Sequence, residues 1–462
     1  MNILLVNPPI PRSFYNREFH LPTSLLYLGA VLEKHCDHVE ILDFKPIQHK
    51  APQTTDSQYD HILLSRITDS KAEIVGFGGL FSGNYPDVLR MAKIVKDHFP
   101  NITTLLGGVH PTMYTTEILT SCTYFDYLFI GEAEDSIISF MDAFSCDKKV
   151  LETIPAIAFR RGDQLQINKR KSYIDNLDDL PFPAYHLIDF KDYYVDTQGW
   201  HNPKNLNFNL EIPLITSRSC PHDCNFCAAS KIMGRGWRPR SAGNVVNEIE
   251  LLYNRYNQRH FAFMDDNLTF SKKRILEICN LILKRGLNIQ FETHNGVSIN
   301  TLDAEVIEAL AAAGLTRIAL PIESGSDFIR NTIMRKKLSR SKIFDTVNLL
   351  RQYKQIFIRT FFIIGLPEET QQTLQDTYEM IEELNVDKVH LTNIVPFPGT
   401  EVYQTAQKDN LFVNINPSEF YLSDALYQTN YDHFSIKPYN LSIEELKQFR
   451  KRCDELILKL KH

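Results

Sequence analysis

The chain has 462 residues, 43% hydrophobic and 23% charged, an ordinary balance for a soluble globular protein with room for two or three cored domains. Its formal net charge of -6 argues against a general nucleic-acid binder or a membrane-surface binder. No apolar run approaches the roughly 18 residues that cross a bilayer, and the opening "MNILLVNPPIP" lacks the basic leader and apolar length of a signal peptide, so no membrane span and a cytoplasmic location are expected.

Residues 1–150 alternate short apolar runs with helical patterns. "NILLV" (2–6) reads as a strand ending at Asn7-Pro8-Pro9, and "TSLLYLGAVLEKH" follows with helical spacing. "HVEILD", "EIVGFGG", "TTLLGG" and "YLFIG" are four further strands, with helices such as "PDVLRMAKIVKDHF" and "AEDSIISFMDAF" between the later ones. Strands that alternate with helices in this way build a doubly wound parallel sheet. Residues 151–205 change character: "RRGDQLQINKRK" looks like a small hairpin, and "LDDLPFPAYH" and "GWHNPKN" read as a Pro- and Asp-rich connector.

From about 206 to 410 the alternation resumes with six expected strands, at 212–217, 260–265, 288–293, 316–321, 356–363 and 387–393. Helical patterns fall between them, and "DAEVIEALAAAG" ends on Gly314, a good helix stop. Six βα units suggest an open, partial barrel rather than the closed eight. Residues 411–462 form a small, mainly helical C-terminal region that closes with "SIEELKQFRKRCDELILKLK". The fold class is therefore α/β throughout.

Five of the eight cysteines (Cys36, Cys122, Cys146, Cys279, Cys453) are scattered and read as buried or incidental thiols. The other three stand in "CPHDCNFC", as Cys220, Cys224 and Cys227, directly after the first strand of the second half. Chemistry in a βα barrel sits in the loops at the strands' C-terminal ends. A structural zinc site wants four ligands, usually from paired knuckles; here there is one knuckle of three, with His222 inside the loop as the nearest extra candidate. Three thiolates can instead hold three irons of a [4Fe–4S] cluster and leave the fourth iron open. The cluster is the favoured reading and zinc the alternative.

"CxxxCxxC" in this position, with Phe226 before the last cysteine, resembles the radical S-adenosylmethionine (SAM) superfamily, over residues ~205 to ~400. The resemblance implies that the open iron chelates SAM and that one electron cleaves it to methionine and a 5′-deoxyadenosyl radical. It makes Cys220, Cys224 and Cys227 the cluster ligands and catalytic residues. "FMDDNLTF" (263–270) ends the second strand, where the family contacts SAM, so Asp265 and Asp266 are candidates; two such carboxylates could also bind a metal or cap the next helix. "PIESGS" (321–326) ends the fourth and nominates Glu323 and Ser324, although Ser324 and Ser326 could simply start a helix. "IIGLPEET" (363–370) ends the fifth, where Gly365, Leu366 and Pro367 would form a backbone shelf near the adenine. "PFPGT" (396–400) follows the sixth. Arg235, Arg238 and Arg240 in "GRGWRPRS" could bind anionic groups or form a solvated surface run.

In the first half, the strand-end loops "GFGGLFSGNY", "LGGVHPT" and "IGEAEDS" are rich in Gly, which lets a large ligand approach the backbone. No GxGxxG follows the first strand, which argues against a dinucleotide. With "LLVNPP" and "LLYLGAVLE", these loops resemble the cobalamin-binding domain of the cobalamin-dependent (class B methylase-like) radical SAM enzymes. Gly79, Gly107 and Gly108 are the expected corrin contacts, with ordinary tight turns as the alternative. The Asp-x-His-x-x-Gly motif that supplies a lower cobalt ligand elsewhere is absent, so the cobalt is expected to lack a histidine lower ligand; His20, His49 and His110 are the alternatives and read more readily as surface histidines.

The expected cofactors are thus a [4Fe–4S] cluster, SAM and cobalamin. The expected function is methylation of an unactivated carbon of a small-molecule or peptide substrate, through a 5′-deoxyadenosyl radical and methylcobalamin. Cyclisation, rearrangement or oxidation with the same cofactors is the alternative. A flavodoxin or ferredoxin is the electron donor that the resemblance implies, with anaerobic or well-reduced surroundings and no nucleic-acid partner. A methylthiotransferase is disfavoured because Cys36, Cys122 and Cys146 are too scattered to form a second cluster site. A non-catalytic cofactor sensor or carrier is disfavoured by the tandem SAM-site motifs.

Overall fold

The computed structural model describes residues 1–11, 20–80, 82–146, 150–194, 210–413, 415–422 and 433–460. The chain divides into two compact units. The first comprises Met1–Asp175, Asp179–Tyr193 and Asn416–Gln428; the second comprises Asn176–Asp178, Tyr194–Ile415 and Thr429–His462.

The first unit is built on a seven-stranded sheet. β1 (Asn2–Asn7), β2 (His38–Asp43), β3 (Ile74–Gly78), β4 (Thr103–Gly107) and β5 (Tyr127–Phe129) are parallel, in the order β2-β1-β3-β4-β5. This is the order of a doubly wound sheet whose direction of growth reverses between β1 and β3, where ligands gather at the strand ends. The apolar runs are buried on both faces, as parallel strands must be: Leu4, Val6, Ile74, Val75 and Leu106 are fully enclosed. The hairpin expected in the connector belongs to this sheet. Its strands β6 (Ile157–Arg161) and β7 (Gln164–Ile167) extend the β5 edge antiparallel. β7 is exposed on every residue, the apolar Leu165 and Ile167 included. The helix Asp56–Ser70 starts at a capping box between Thr55 and Gln58 and stops at Lys71 in the left-handed conformation.

The second unit is a six-stranded, all-parallel sheet in sequential order: β8 (Ile212–Leu214), β9 (His260–Phe263), β10 (Gln290–Thr293), β11 (Leu315–Glu323), β12 (Phe357–Ile364) and β13 (Lys388–Asn393). β8 and β13 are its edges, so the sheet is the open, partial barrel that six βα units suggest. Helices cross between successive strands, each started by a side-chain cap such as Ser241, Ser271, Asp303 or Thr370. Along β12 every second residue (Ile358, Thr360, Phe362, Ile364) is buried, while Phe357, Arg359, Phe361 and Ile363 are half-open. The inner face also carries charge: Arg317 Nε lies 3.1 Å from the Glu292 carboxylate. Gly314 is required where it stands, at φ +110, because a Cβ there would lie 2.1 Å from the Ile289 carbonyl oxygen.

The C-terminal region is divided between the units. Residues 416–428 belong to the first, while the helix Ile443–Leu460 belongs to the second. The connector sequence 199–205 lies outside the described residues, as do 414 and 423–432 of the stretch 412–434. Among the described residues no helix is long and apolar enough to cross a membrane.

Candidate functional site

The cysteine loop leaves β8 and is pinned at both ends. Ser217–Arg218 pairs antiparallel with Arg238–Pro239, so residues 219–237 form a closed excursion. Its entry is braced from the end of β9. The buried Asp265 carboxylate accepts from Thr216 Oγ1 at 2.8 Å, from Thr216 N and from Ser217 Oγ. Arg274 donates to the Thr216 and Arg240 carbonyls and supplies the nearby positive charge. The far side is held by the helix Glu401–Lys408, whose first N–H groups, on Glu401 and Val402, donate to the Asn225 carbonyl. Phe226 packs against an apolar cluster of Ile329, Met334, Leu366, Ile394, Val402, Ala406 and Ile436.

Within this frame Cys220 and Cys224 are half-buried and Cys227 is exposed, all three with free thiols. Burial raises the pKa of each, that of Cys227 to about 11. Each of Cys224 and Cys227 feels the charge of a neighbouring cysteine. Thiolates here therefore call for a positive centre such as a metal. Among the described residues no three His, Cys, Asp or Glu side chains converge on a point that would hold a single metal ion. A zinc ion needs such convergence, whereas a four-iron cluster spreads three thiolates over three irons. The donor set fits the cluster.

The strand ends around the loop sort the other expected residues. Asp266 is exposed, accepts from the Ser219 N–H and has a pKa raised to about 6 by desolvation and by Asp265. It acts electrostatically on Cys220 and Cys227. Glu323, at the end of β11, is held at φ +71, a left-handed conformation unusual outside glycine, and acts on Cys224. Asp265 is turned into the protein. So is Ser324, which is fully buried with its Oγ 3.3 Å from Thr377 Oγ1, pinning its loop to the helix Gln371–Leu384. Gly365 takes φ +95, and Leu366 is buried in the Phe226 cluster. The Pro367 carbonyl accepts from Tyr439 N. Arg240 is buried in an ion pair with Glu248, whereas Arg235 is an exposed partner of Asp223. Arg238 donates to the Met233 carbonyl.

Three residues that the sequence reading passed over belong to this frame. Asn267 Nδ2 lies 3.8 Å from Cys220 Sγ. Glu369, fully buried, accepts the Gly365 and Leu366 N–H groups and so shapes the turn after β12. Lys336 Nζ lies 3.0 Å from Glu323 Oε1; burial pulls its pKa down, but Glu323 and Cys224 more than offset this and leave it raised. Lys336 sits in "RKK", which reads as a surface run.

In the first unit Gly79, Gly107 and Gly108 meet where β3 and β4 end. Gly79 N donates to the Gly107 carbonyl at 2.7 Å. His110, just beyond, is buried; its Nδ1 lies 2.8 Å from Ser82 Oγ. Its ring sits 4.3 Å from that of Tyr85 and 5.0 Å from that of Tyr114. Tyr421, on the returning segment, lies tilted against both tyrosines, its ring 6.3 Å from that of Tyr85 and 6.4 Å from that of Tyr114. Burial lowers the His110 pKa to about 3, so the imidazole is neutral, and its Nε2 has no hydrogen-bond partner among the described residues. A Cβ on Gly107 would meet only Phe129 Cβ, at 3.8 Å. A glycine that local packing does not demand, beside an orphaned buried nitrogen, fits a large ligand at these strand ends. His49 is exposed.

Two family models match. That of the Radical SAM superfamily covers residues 214–381, and that of the B12 binding domain covers 17–140. The chain is 29% identical over 420 residues to the uncharacterized methyltransferase PH0819 of Pyrococcus horikoshii, covering 90% of this chain and 85% of the relative. It is 27% identical over 316 residues to the anaerobic magnesium-protoporphyrin IX monomethyl ester cyclase of Cereibacter sphaeroides, covering 68% of this chain but only 50% of that longer relative. The fold matches that of the radical SAM methyltransferase TsrM from Kitasatospora setae, solved with cobalamin and a [4Fe-4S] cluster, with a TM-score of 0.72 at 14% identity over 99% of this chain and 88% of that one. With a B12-binding domain followed by a partial barrel that carries the three-cysteine loop, the chain belongs to the cobalamin-dependent branch of the radical SAM superfamily.

Proposed function

We propose that the chain is a cobalamin-dependent radical SAM methyltransferase that methylates an unactivated carbon of a small-molecule or peptide substrate. The observation that carries this reading is the three-thiol loop at the end of β8 in a chain that also bears a B12-binding domain. When bound, the cluster supplies the electron that cleaves SAM to a hydrogen-abstracting radical, and cobalamin carries the methyl group. The chain's own residues do the rest. Cys220, Cys224 and Cys227 hold the cluster, and Phe226 anchors their loop in the apolar cluster. Asp266 and Glu323 present carboxylates that can accept from the SAM amino group. Gly365, with Leu366 and Pro367, offers backbone to the adenine. Asp265 and Ser324 support these contacts from behind, by bracing Thr216 and Thr377. Gly107 leaves room for the corrin, Gly79 and Gly108 form the tight backbone contact beside it, and the neutral His110 faces the same strand ends.

Methyl transfer is favoured over cyclisation because the Pyrococcus horikoshii relative, 29% identical over 90% of this chain, and the structural neighbour TsrM are both named methyltransferases. A flavodoxin or ferredoxin as reductant and an anaerobic cytoplasmic setting complete the reading. The test is anaerobic purification from cobalamin-fed cells with iron, sulfide and corrin counted together. About four irons and one corrin per chain, followed by a product heavier by one methylene, support it. Iron without corrin after reconstitution removes the methyl carrier and with it the methyltransferase.

A further inference from the structure

The turn that follows β9 is tightly enclosed: Asn267 and Leu268 are each 1% exposed and Thr269 is 0% exposed. Leucine suits that setting. A buried carboxamide does not, because it costs free energy unless its polar atoms find partners. Asn267 Nδ2 lies 3.8 Å from Cys220 Sγ, and Oδ1 has no hydrogen-bond partner among the described residues. The sulfur is thus the group that orients the amide. The opposite orientation would turn the carbonyl oxygen on to a thiolate, lone pair against lone pair. Among the described residues this is the one side-chain hydrogen bond to any of the three sulfurs of the loop.

The backbone of Asn267 is fixed as well. The Trp237 indole N–H donates to its carbonyl oxygen at 3.0 Å, and the Trp237 ring packs edge-on against Phe270 with centroids 5.2 Å apart. Thr269 Oγ1 lies 2.6 Å from Thr301 Oγ1, which ties the turn to the segment after β10. Trp237 stands just before Arg238–Pro239, where the cysteine loop leaves, and Cys220 just after Ser217–Arg218, where it enters. Asn267 therefore grips both ends of the loop, the exit by its carbonyl and the entry by its amide.

We propose that Asn267 is a positioning residue whose side-chain N–H, aimed at the Cys220 sulfur, raises the reduction potential of the cluster held by the three cysteines. This rests on the cluster reading above. One electron from the reductant takes the cluster from 2+ to 1+, with no bond to the protein made or broken. The added negative charge spreads on to the sulfurs, so a donor already aimed at one of them bonds more strongly to the reduced state. The site is enclosed, so the bond is stronger than it would be in water.

The test is a redox titration of the reconstituted full chain, without SAM, using dithionite as electron source and the electron paramagnetic resonance signal of the reduced cluster as readout. Asn267→Ala should lower the midpoint and reduce the share of reduced cluster severalfold at a fixed potential; each tenfold corresponds to about 59 mV for one electron. Asn267→Leu keeps the branched shape of the side chain without a donor, and should lower the midpoint likewise. An Ala variant with full iron and an unmoved midpoint overturns the proposal, because a purely structural residue would change iron content or stability and leave the potential of loaded chains alone. Where the Ala variant does not take up iron, Asn267→Leu decides: a lowered midpoint supports the proposal and an unmoved one overturns it. Absence of iron from the unsubstituted chain would instead sink the cluster reading.

Discussion

Gly108 and Gly79 approach so closely that a Cβ on Gly108 would stand 2.6 Å from the Gly79 carbonyl oxygen. With φ at +114, position 108 admits no other residue without moving backbone. Gly107, its neighbour, is open. Gly108→Ala should therefore cost about 2 kcal/mol or more of stability. Gly107→Ala should leave stability within about 1 kcal/mol yet weaken cobalamin binding severalfold. Urea denaturation and a cobalamin titration of the two variants separate the cases. Equal losses of stability would mean that Gly107 is a packing residue too.

The cysteines should behave as one unit. Alanine at Cys220, Cys224 or Cys227 should remove the cluster's iron and its visible absorbance and abolish SAM cleavage, with the far-ultraviolet circular dichroism unchanged. Alanine at the buried Cys279 should leave iron untouched. Retention of full iron by any of the three variants would exclude that residue as a ligand.

The adjacent carboxylates Asp265 and Asp266 should separate in kind. Asp265→Asn loses the charge that faces Arg274 and disturbs the acceptors of Thr216 and Ser217. It should cost about 2–3 kcal/mol and lower iron retention. Asp266 has neither a charged partner nor hydroxyl donors, only the Ser219 N–H, which an amide oxygen can also accept, so Asp266→Asn should keep stability within about 0.5 kcal/mol and raise the Kd for SAM. Calorimetry of SAM binding beside thermal unfolding reads both.

Burial raises the Glu369 carboxyl to about 8, against the two N–H groups that favour its ionised form. The unfolded chain releases this proton near pH 4.3. The folded state holds it longer, so the contribution is complete at low pH and is lost as pH rises through about 8. Stability should fall between pH 5 and pH 8, by an amount on the order of a few kcal/mol. Glu369→Gln should flatten that slope. Parallel slopes in urea midpoints across this range would show that Glu369 is ionised when folded.

Strand ends and the cysteine triad could be read from the chain because each rests on local signals. Apolar runs such as Ile74–Gly78 and His38–Asp43 lie where expected, and the spacing of Cys220, Cys224 and Cys227 carries its own chemistry. The orientation of side chains could not be read. Asp265 and Asp266 are adjacent and chemically identical in the sequence; only the brace at Thr216 distinguishes them. Lys336 hides in a basic triplet, and its pairing with Glu323 depends on a loop held by Arg330 that no periodicity reports. Glu369 looks like a helix-start acid but folds back on Gly365. The hairpin Ile157–Ile167 buries Ile157, Ala158 and Phe159 in the first sheet, but leaves the apolar Leu165 and Ile167 of its outer strand exposed, so alternation there does not report burial.

The segment that returns Tyr421 to Tyr85 and Tyr114 is the last piece of the first unit to be made. The first unit gathers residues up to Tyr193 and then Asn416–Gln428, so about 220 residues must be translated before its final piece exists. At roughly 5–20 residues per second, the nascent B12-binding domain waits more than ten seconds on the ribosome without the aromatic that covers its ligand end. A fragment ending near residue 205 would therefore lack Tyr421 and the ring contacts it makes with Tyr85 and Tyr114.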